Sequence, residues 1–142
     1  MTKEVELTIS GIQKYATHED DDLRTKVQGE YYYRNGSHYI LYEEHTEGFT
    51  ETTKSMLKLK DGCLEMTRKG LINTSMVFDK GRDTVAHYKT PVGELVLGIC
   101  TKGFYVQEKE ERICIEIEYS LEAEGAPMAD SRIRIEVRAK SI

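Results

Sequence analysis

Two charged side chains, Glu44 and Arg68, are the strongest candidates for chemistry in this sequence because each interrupts an apolar pattern. A buried carboxylate or guanidinium without a partner costs several kcal/mol, whereas a bidentate pair or a bound ligand offsets the lost hydration. We therefore expect Glu44 and Arg68 to pair with each other or to hold a ligand jointly. The alternative is that both lie at a wet rim of the protein.

Other combinations of reactive residue types carry less information. Glu43 and His45 lie two apart on one strand face, as metal ligands would, but no third ligand is identifiable and zinc usually takes four. The acidic run at 18–22 lacks the alternating ligands and the glycine of a calcium loop, so we interpret it as a solvated turn. No serine, threonine or cysteine lies in a recognisable nucleophile turn. We predict no catalytic residue, no metal and no cofactor, and an enzyme is the least favoured class.

The composition predicts one soluble domain, residues 1–142. With 39% hydrophobic and 32% charged residues, a chain of this length buries about two-thirds of its unfolded surface. The formal net charge of −5 argues against nucleic acid or an anionic membrane as a partner, since both require clustered Lys and Arg. The first residues contain no apolar signal segment, so we expect a cytoplasmic protein, monomeric or homodimeric. Cys63, Cys100 and Cys114 are widely spaced, which favours reduced thiols.

Hydrophobic residues alternate with polar ones along almost the whole chain, and this period of two predicts strands rather than helices. Turn residues such as Asn35-Gly36 and Asp61-Gly62 separate the strands. Ten strands are predicted near 4–15, 24–34, 37–46, 49–60, 63–69, 71–79, 83–90, 94–106, 111–122 and 131–140. Because so long a meander tends to curl and close, the expected fold is all-β, a single antiparallel up-and-down barrel of roughly eight to ten strands.

The first glycine turn fixes the register of its hairpin. A two-residue loop at Asn35-Gly36 pairs Tyr31 with Ile40 and Gly29 with Tyr42. This register predicts an inner face that carries Tyr31, Tyr33 and Tyr42, and then Glu44 beyond them. Tyr32 points outward and pairs across the hairpin with Tyr39.

Two further turns fix other parts of the barrel in the same way. The Asp61-Gly62 turn places Arg68 on the same face as Leu57 and Met66. A two-residue loop at Pro91-Val92 pairs Tyr88 with Leu95 and puts both inside. The outward charges of the last two strands, in contrast, are expected to pair across the sheet; they are Glu116, Glu118, Arg132, Arg134 and Arg138.

An ordered set of short motifs resembles the YwiB-like family of small bacterial proteins, common in Firmicutes. The motifs are GEYY at 29–32, YEEH at 42–45, RKG at 68–70, Phe78 before Gly81, and YKTPVGEL at 88–95. The resemblance implies a lipocalin-like, calycin-type β-barrel and supplies no catalytic residues. It extends over nearly the whole chain, except for the N-terminal segment and the loop at 122–130.

Two classes of function follow from such a barrel. In the first, a tyrosine-lined, partly filled lumen binds a small amphipathic or anionic molecule; its candidate ligand-binding residues are Tyr31, Tyr42, Glu44, Arg68 and Tyr88. In the second, side chains fill the lumen, and the protein acts as a structural or protein-interaction module through its outer surface. The volume left inside the barrel distinguishes the two classes.

Overall fold

The computed structural model describes residues 2–15, 21–45, 48–91 and 93–140, and within these ranges the side chains of Gln13, Tyr15 and 21–23 are left out of the description. Ten strands are present: β1 Glu4–Tyr15, β2 Asp21–Arg34, β3 Ser37–His45, β4 Thr52–Lys60, β5 Cys63–Gly70, β6 Asn73–Asp79, β7 Thr84–Thr90, β8 Gly93–Lys109, β9 Arg112–Ala123 and β10 Ala126–Ala139. Each pairs antiparallel with its sequence neighbour, and β1 also pairs with β10, so the sheet closes into a barrel. Among the described residues, no helix is long and apolar enough to cross a membrane.

The predicted hairpin registers are confirmed. Tyr31 pairs with Ile40, Leu57 with Met66, and Tyr88 with Leu95. Asn35 and Asp61 have positive φ values of 49° and 44°, as a type I′ turn requires at its first central position. The inward positions between these turns form the apolar core.

Tyr33 and Leu95 lie at inward-facing positions but are exposed, because a side chain at the end of a strand can point inward without being covered by the core. Tyr33 was predicted inside, yet it is 60% exposed. Leu95 faces inward by register and is 55% exposed. The alternation of a strand continues past the edge of the core, so the pattern alone overstates burial there.

The last hairpin corrects the prediction for 122–130. A tight turn at Glu124-Gly125, with φ values of 52° and 79°, brings Ala123 opposite Ala126, so β10 begins five residues earlier than predicted. The register then shifts between Pro127 and Ala129. Proline and this bulge interrupt the alternation, which hid the start of the strand. Beyond it, Arg132 and Arg134 pair across the sheet as predicted, with Glu118 at 3.0 Å and Glu116 at 3.2 Å, whereas Arg138 pairs with Glu136 of its own strand at 3.0 Å.

The interior differs between the two ends of the barrel. The packed end lies toward the turns at 35–36, 61–62 and 110–111, and its fully buried side chains include Val5, Leu64, Ile113 and Val137. The cavity end lies toward the turns at 71–72 and 124–125 and toward the pairing of Thr90 with Gly93. Strands β3 and β5 finish at this end. The side chains of the same strands therefore pack closely at one end of the barrel and leave space at the other.

Candidate functional site

A cavity of about 680 Å³ occupies the cavity end of the barrel. One wall, from β1 and β8–β10, is mainly apolar and comprises Ile9, Leu97, Tyr119, Leu121, Met128 and Ile133. Polar groups are concentrated on the other side, on β3 and β5, where Glu44 and Arg68 line the space. Arg132 of β10 also lines the cavity, which is therefore amphipathic, with most of its charged side chains on β3 and β5.

Glu44 and Arg68 come together as their registers predict, and both are partly accessible to water. Arg68 Nε lies 3.8 Å from Glu44 Oε1, and the two side chains are 26% and 25% exposed. Ser55 Oγ donates a long hydrogen bond of 3.4 Å to the same carboxylate oxygen. Glu44 and Arg68 thus pair with each other, as expected of a buried pair, and are also partly exposed to water, as expected of a wet rim. The single long contact leaves the terminal guanidinium nitrogens of Arg68 without a partner among the described residues.

Tyr42 lies beside this pair, and its hydroxyl is buried without a hydrogen bond of good geometry in the described part of the chain. Its residue exposure is only 5%. Burial, and then the charge of Glu44, raise the pKa of Tyr42 to about 12, while Arg68 and Ser55 oppose the rise. An uncharged phenol is therefore held next to an ion pair, but Tyr42, a predicted ligand-binding residue, does not itself line the cavity.

Tyr31, another predicted lumen residue, belongs to the packed end and does not line the cavity. Its hydroxyl shares a 2.5 Å hydrogen bond with His38 Nδ1, and His38 Nε2 contacts a carboxylate oxygen of Glu108 on the β8–β9 hairpin. Burial, followed by the charge of Glu108, raises the pKa of Tyr31. The hydrogen-bonded chain joins β2, β3 and β8, which is a structural role.

Of the remaining candidates, Tyr88 lines the cavity as predicted. Glu43 and His45 lie at its edge, but no group of three or more metal-ligating side chains occurs among the described residues. Met66 lines the cavity from the inner face on which the sequence placed it, but sequence reasoning missed the contribution of Met76 and Met128. Flexible, polarisable methionines suit a surface that adapts to apolar groups of different shape, and the position of Met76 opposite Met66 was the available signal.

These features are those of a closed β-barrel with an internal cavity, and the comparisons place the chain among β-barrel proteins. A family model described as a domain of unknown function, DUF1934, matches residues 7–135, so the chain belongs to that family.

A relative within this group is the uncharacterized beta-barrel protein YwiB of Bacillus subtilis (strain 168). It is 31% identical over 100 residues, which span 70% of this chain and 68% of the relative. The crystal structure of ywiB protein from Bacillus subtilis matches with a TM-score of 0.84 and 22% identity, over 98% of this chain and 93% of that one. The expected YwiB-like family and the β-barrel fold are both confirmed.

Proposed function

We propose that this protein binds a small amphipathic ligand with an anionic head group inside the cavity end of its barrel. The observation that carries the proposal is the cavity itself, about 680 Å³ of mostly apolar space beside an incompletely bonded ion pair. Small-molecule sites typically have volumes of about 300–1,000 Å³, with apolar walls and a few fixed polar groups. The lipocalin-like, calycin-type analogy agrees with this use but rests on fold alone.

The preference for an anion follows from the donors at the polar wall. Arg68 has terminal nitrogens without a partner among the described residues, and the Tyr42 hydroxyl nearby is protonated at neutral pH. A carboxylate, sulfonate or phosphate head group accepts hydrogen bonds from Arg68, because guanidinium groups bind such anions in a bidentate manner. The apolar part of the ligand then lies against β8–β10.

Fluorescence titration with 8-anilinonaphthalene-1-sulfonate, an aromatic anion, tests this function, with decanoate and decyltrimethylammonium as competitors. We expect saturable binding to the native barrel and displacement by decanoate in preference to the cation. Arg68→Ala should weaken binding about tenfold, the loss of one charge-assisted hydrogen bond. Arg134→Ala is the matched control, because Arg134 pairs with Glu116 on the outer surface.

A native protein that binds neither the dye nor decanoate would contradict the proposal and favour the structural or interaction role. Circular dichroism at the titration temperature confirms that each variant is folded, since partly unfolded proteins also bind this dye. Equal affinity in Arg68→Ala and wild type would leave an apolar site but remove the anionic preference.

A further inference from the structure

The wall of the barrel is not hydrogen-bonded along its whole height between β2 and β3. These strands pair from Arg34 and Ser37 to Gly29 and Tyr42, and the pairing stops there. Within the described residues, β2 before Gly29 continues to pair with β1, and β3 after Tyr42 continues to pair with β4. Each strand therefore has one unpaired edge toward the other, and we call this gap the β2–β3 seam, residues 24–28 and 43–45.

The change at the seam is abrupt. At Gly29 the strands are so close that an added Cβ would lie 2.8 Å from the Leu41 carbonyl oxygen. One step further, Gln28 and Glu43 would form the next pair, but they do not pair. Loss of pairing directly after so close a contact means that the strands separate toward the cavity end.

The seam lies between the cavity and a groove on the outer surface. Val27 and Glu43 line both spaces, so only these side chains and their backbone divide them. The outer groove also reaches Tyr42 and Ser55, although both are buried side chains on the inner face. Tyr42 and Ser55 thus contribute to the outer groove as well as to the surroundings of Glu44, although the Tyr42 hydroxyl itself is buried.

A second stretch of weak pairing in the same barrel shows that missing ladder bonds alone do not make an opening. β6 and β7 pair at only three positions, from Asn73 and Lys89 to Ser75 and His87. Behind the unpaired part of β6, however, Phe78 is completely buried and packs on Tyr119 with ring centroids 4.8 Å apart. That gap is filled by an aromatic side chain, whereas the described residues behind the β2–β3 seam on the β2 side are the smaller Thr25 and Val27.

We propose that the β2–β3 seam is a lateral entrance through which an amphipathic anion reaches the cavity. This inference rests on the proposed function and adds the route to it. No ladder hydrogen bonds must break for the seam to widen, and its edges offer free backbone N–H and C=O groups to a polar head group. The apolar part enters past Val27, and the head group then reaches Arg68 in the cavity.

Cross-linking the seam tests this route. In a background with Cys63, Cys100 and Cys114 replaced by serine, Gln28→Cys and Glu43→Cys are joined with a short bismaleimide, because strands that do not pair can be too far apart for a disulfide. The control joins Glu30→Cys to Leu41→Cys, which pair in the closed part of the same hairpin, two positions along β2 from Gln28. Stopped-flow fluorescence with 8-anilinonaphthalene-1-sulfonate measures association and dissociation.

We expect the seam cross-link to slow both association and dissociation about tenfold or more, and the control cross-link to leave both rates near those of the uncross-linked protein. The affinity should change little, since a route affects rates in both directions. Equal association rates in the seam-linked and control proteins would overturn the lateral entrance while leaving the proposed function intact. No binding to the uncross-linked protein would overturn the proposed function and, with it, the entrance.

Discussion

Tyr31 and Tyr42 belong to the same hairpin and face the same interior, yet the two ends of the barrel treat their hydroxyls differently. At the packed end, Tyr31 is bonded to His38, which in turn contacts Glu108. At the cavity end, Tyr42 is more completely buried and has no good hydrogen bond within the described residues. Unsatisfied buried groups reduce stability, so the hydroxyl of Tyr42 should stabilise the fold less than that of Tyr31.

The largest difference between the two ends should appear when leucine is truncated. Leu64→Ala at the packed end should cost about 3–5 kcal/mol of unfolding free energy, because its surroundings are close-packed. Leu97→Ala at the cavity should cost about 2 kcal/mol or less, since it enlarges an existing space rather than creating a new one. Urea denaturation of both variants measures the two values. Equal losses would mean that the cavity end is as tightly packed as the other.

Removal of one hydroxyl at each end should give a smaller contrast in the same direction. Tyr31→Phe leaves His38 Nδ1 without its partner and should cost about 1–2 kcal/mol. Tyr42→Phe removes a buried group that makes no good hydrogen bond, so stability should change by less than about 0.5 kcal/mol or increase. The same denaturation experiment applies. A clear loss in Tyr42→Phe would show that its hydroxyl is satisfied.

The Glu44–Arg68 pair should contribute little to stability, since both side chains are about a quarter exposed and meet through one contact of 3.8 Å. We expect Arg68→Ala to cost about 1 kcal/mol or less, and the coupling between Glu44→Gln and Arg68→Ala to be below about 1 kcal/mol. A coupling of several kcal/mol in this double-mutant cycle would instead indicate a buried structural pair.

The ionisation of Tyr42 should affect stability only at alkaline pH. Its pKa rises from 10.0 to about 12 on folding, so its neutral form contributes stability that is complete below pH 10 and is lost as the pH rises through 12. Wild type should therefore lose up to about 3 kcal/mol more stability than Tyr42→Phe between these pH values. Parallel curves for the two proteins would place the pKa of Tyr42 near its ordinary value.

Sequence patterns were sufficient for the features that local turns determine. The glycine turns at 35–36 and 61–62 each fix a register independently, and together they place Glu44 and Arg68 side by side. The loop predicted at 91–92 likewise gave the correct partner of Tyr88, which is Leu95. Strand direction and inner face therefore follow from short-range chemistry.

Features that depend on distant parts of the chain could not be predicted in this way. The contact between His38 and Glu108 joins strands far apart in sequence, and no local signal indicates it. The unoccupied volume and the end of pairing after Tyr42 depend on how all ten strands pack, because the alternation continues unchanged through both. Exposure of Tyr33 is a smaller instance of the same limit.

Methyl NMR during titration with decanoate tests most directly whether the cavity end is a binding site. Met66, Met76 and Met128 line the cavity, whereas Leu64 and Ile113 report from the packed end of the same barrel. We predict saturable shifts of the three methionine methyl signals, with little change at Leu64 and Ile113. Methionine signals that do not move at saturating decanoate, or shifts spread equally over both ends, would contradict this account.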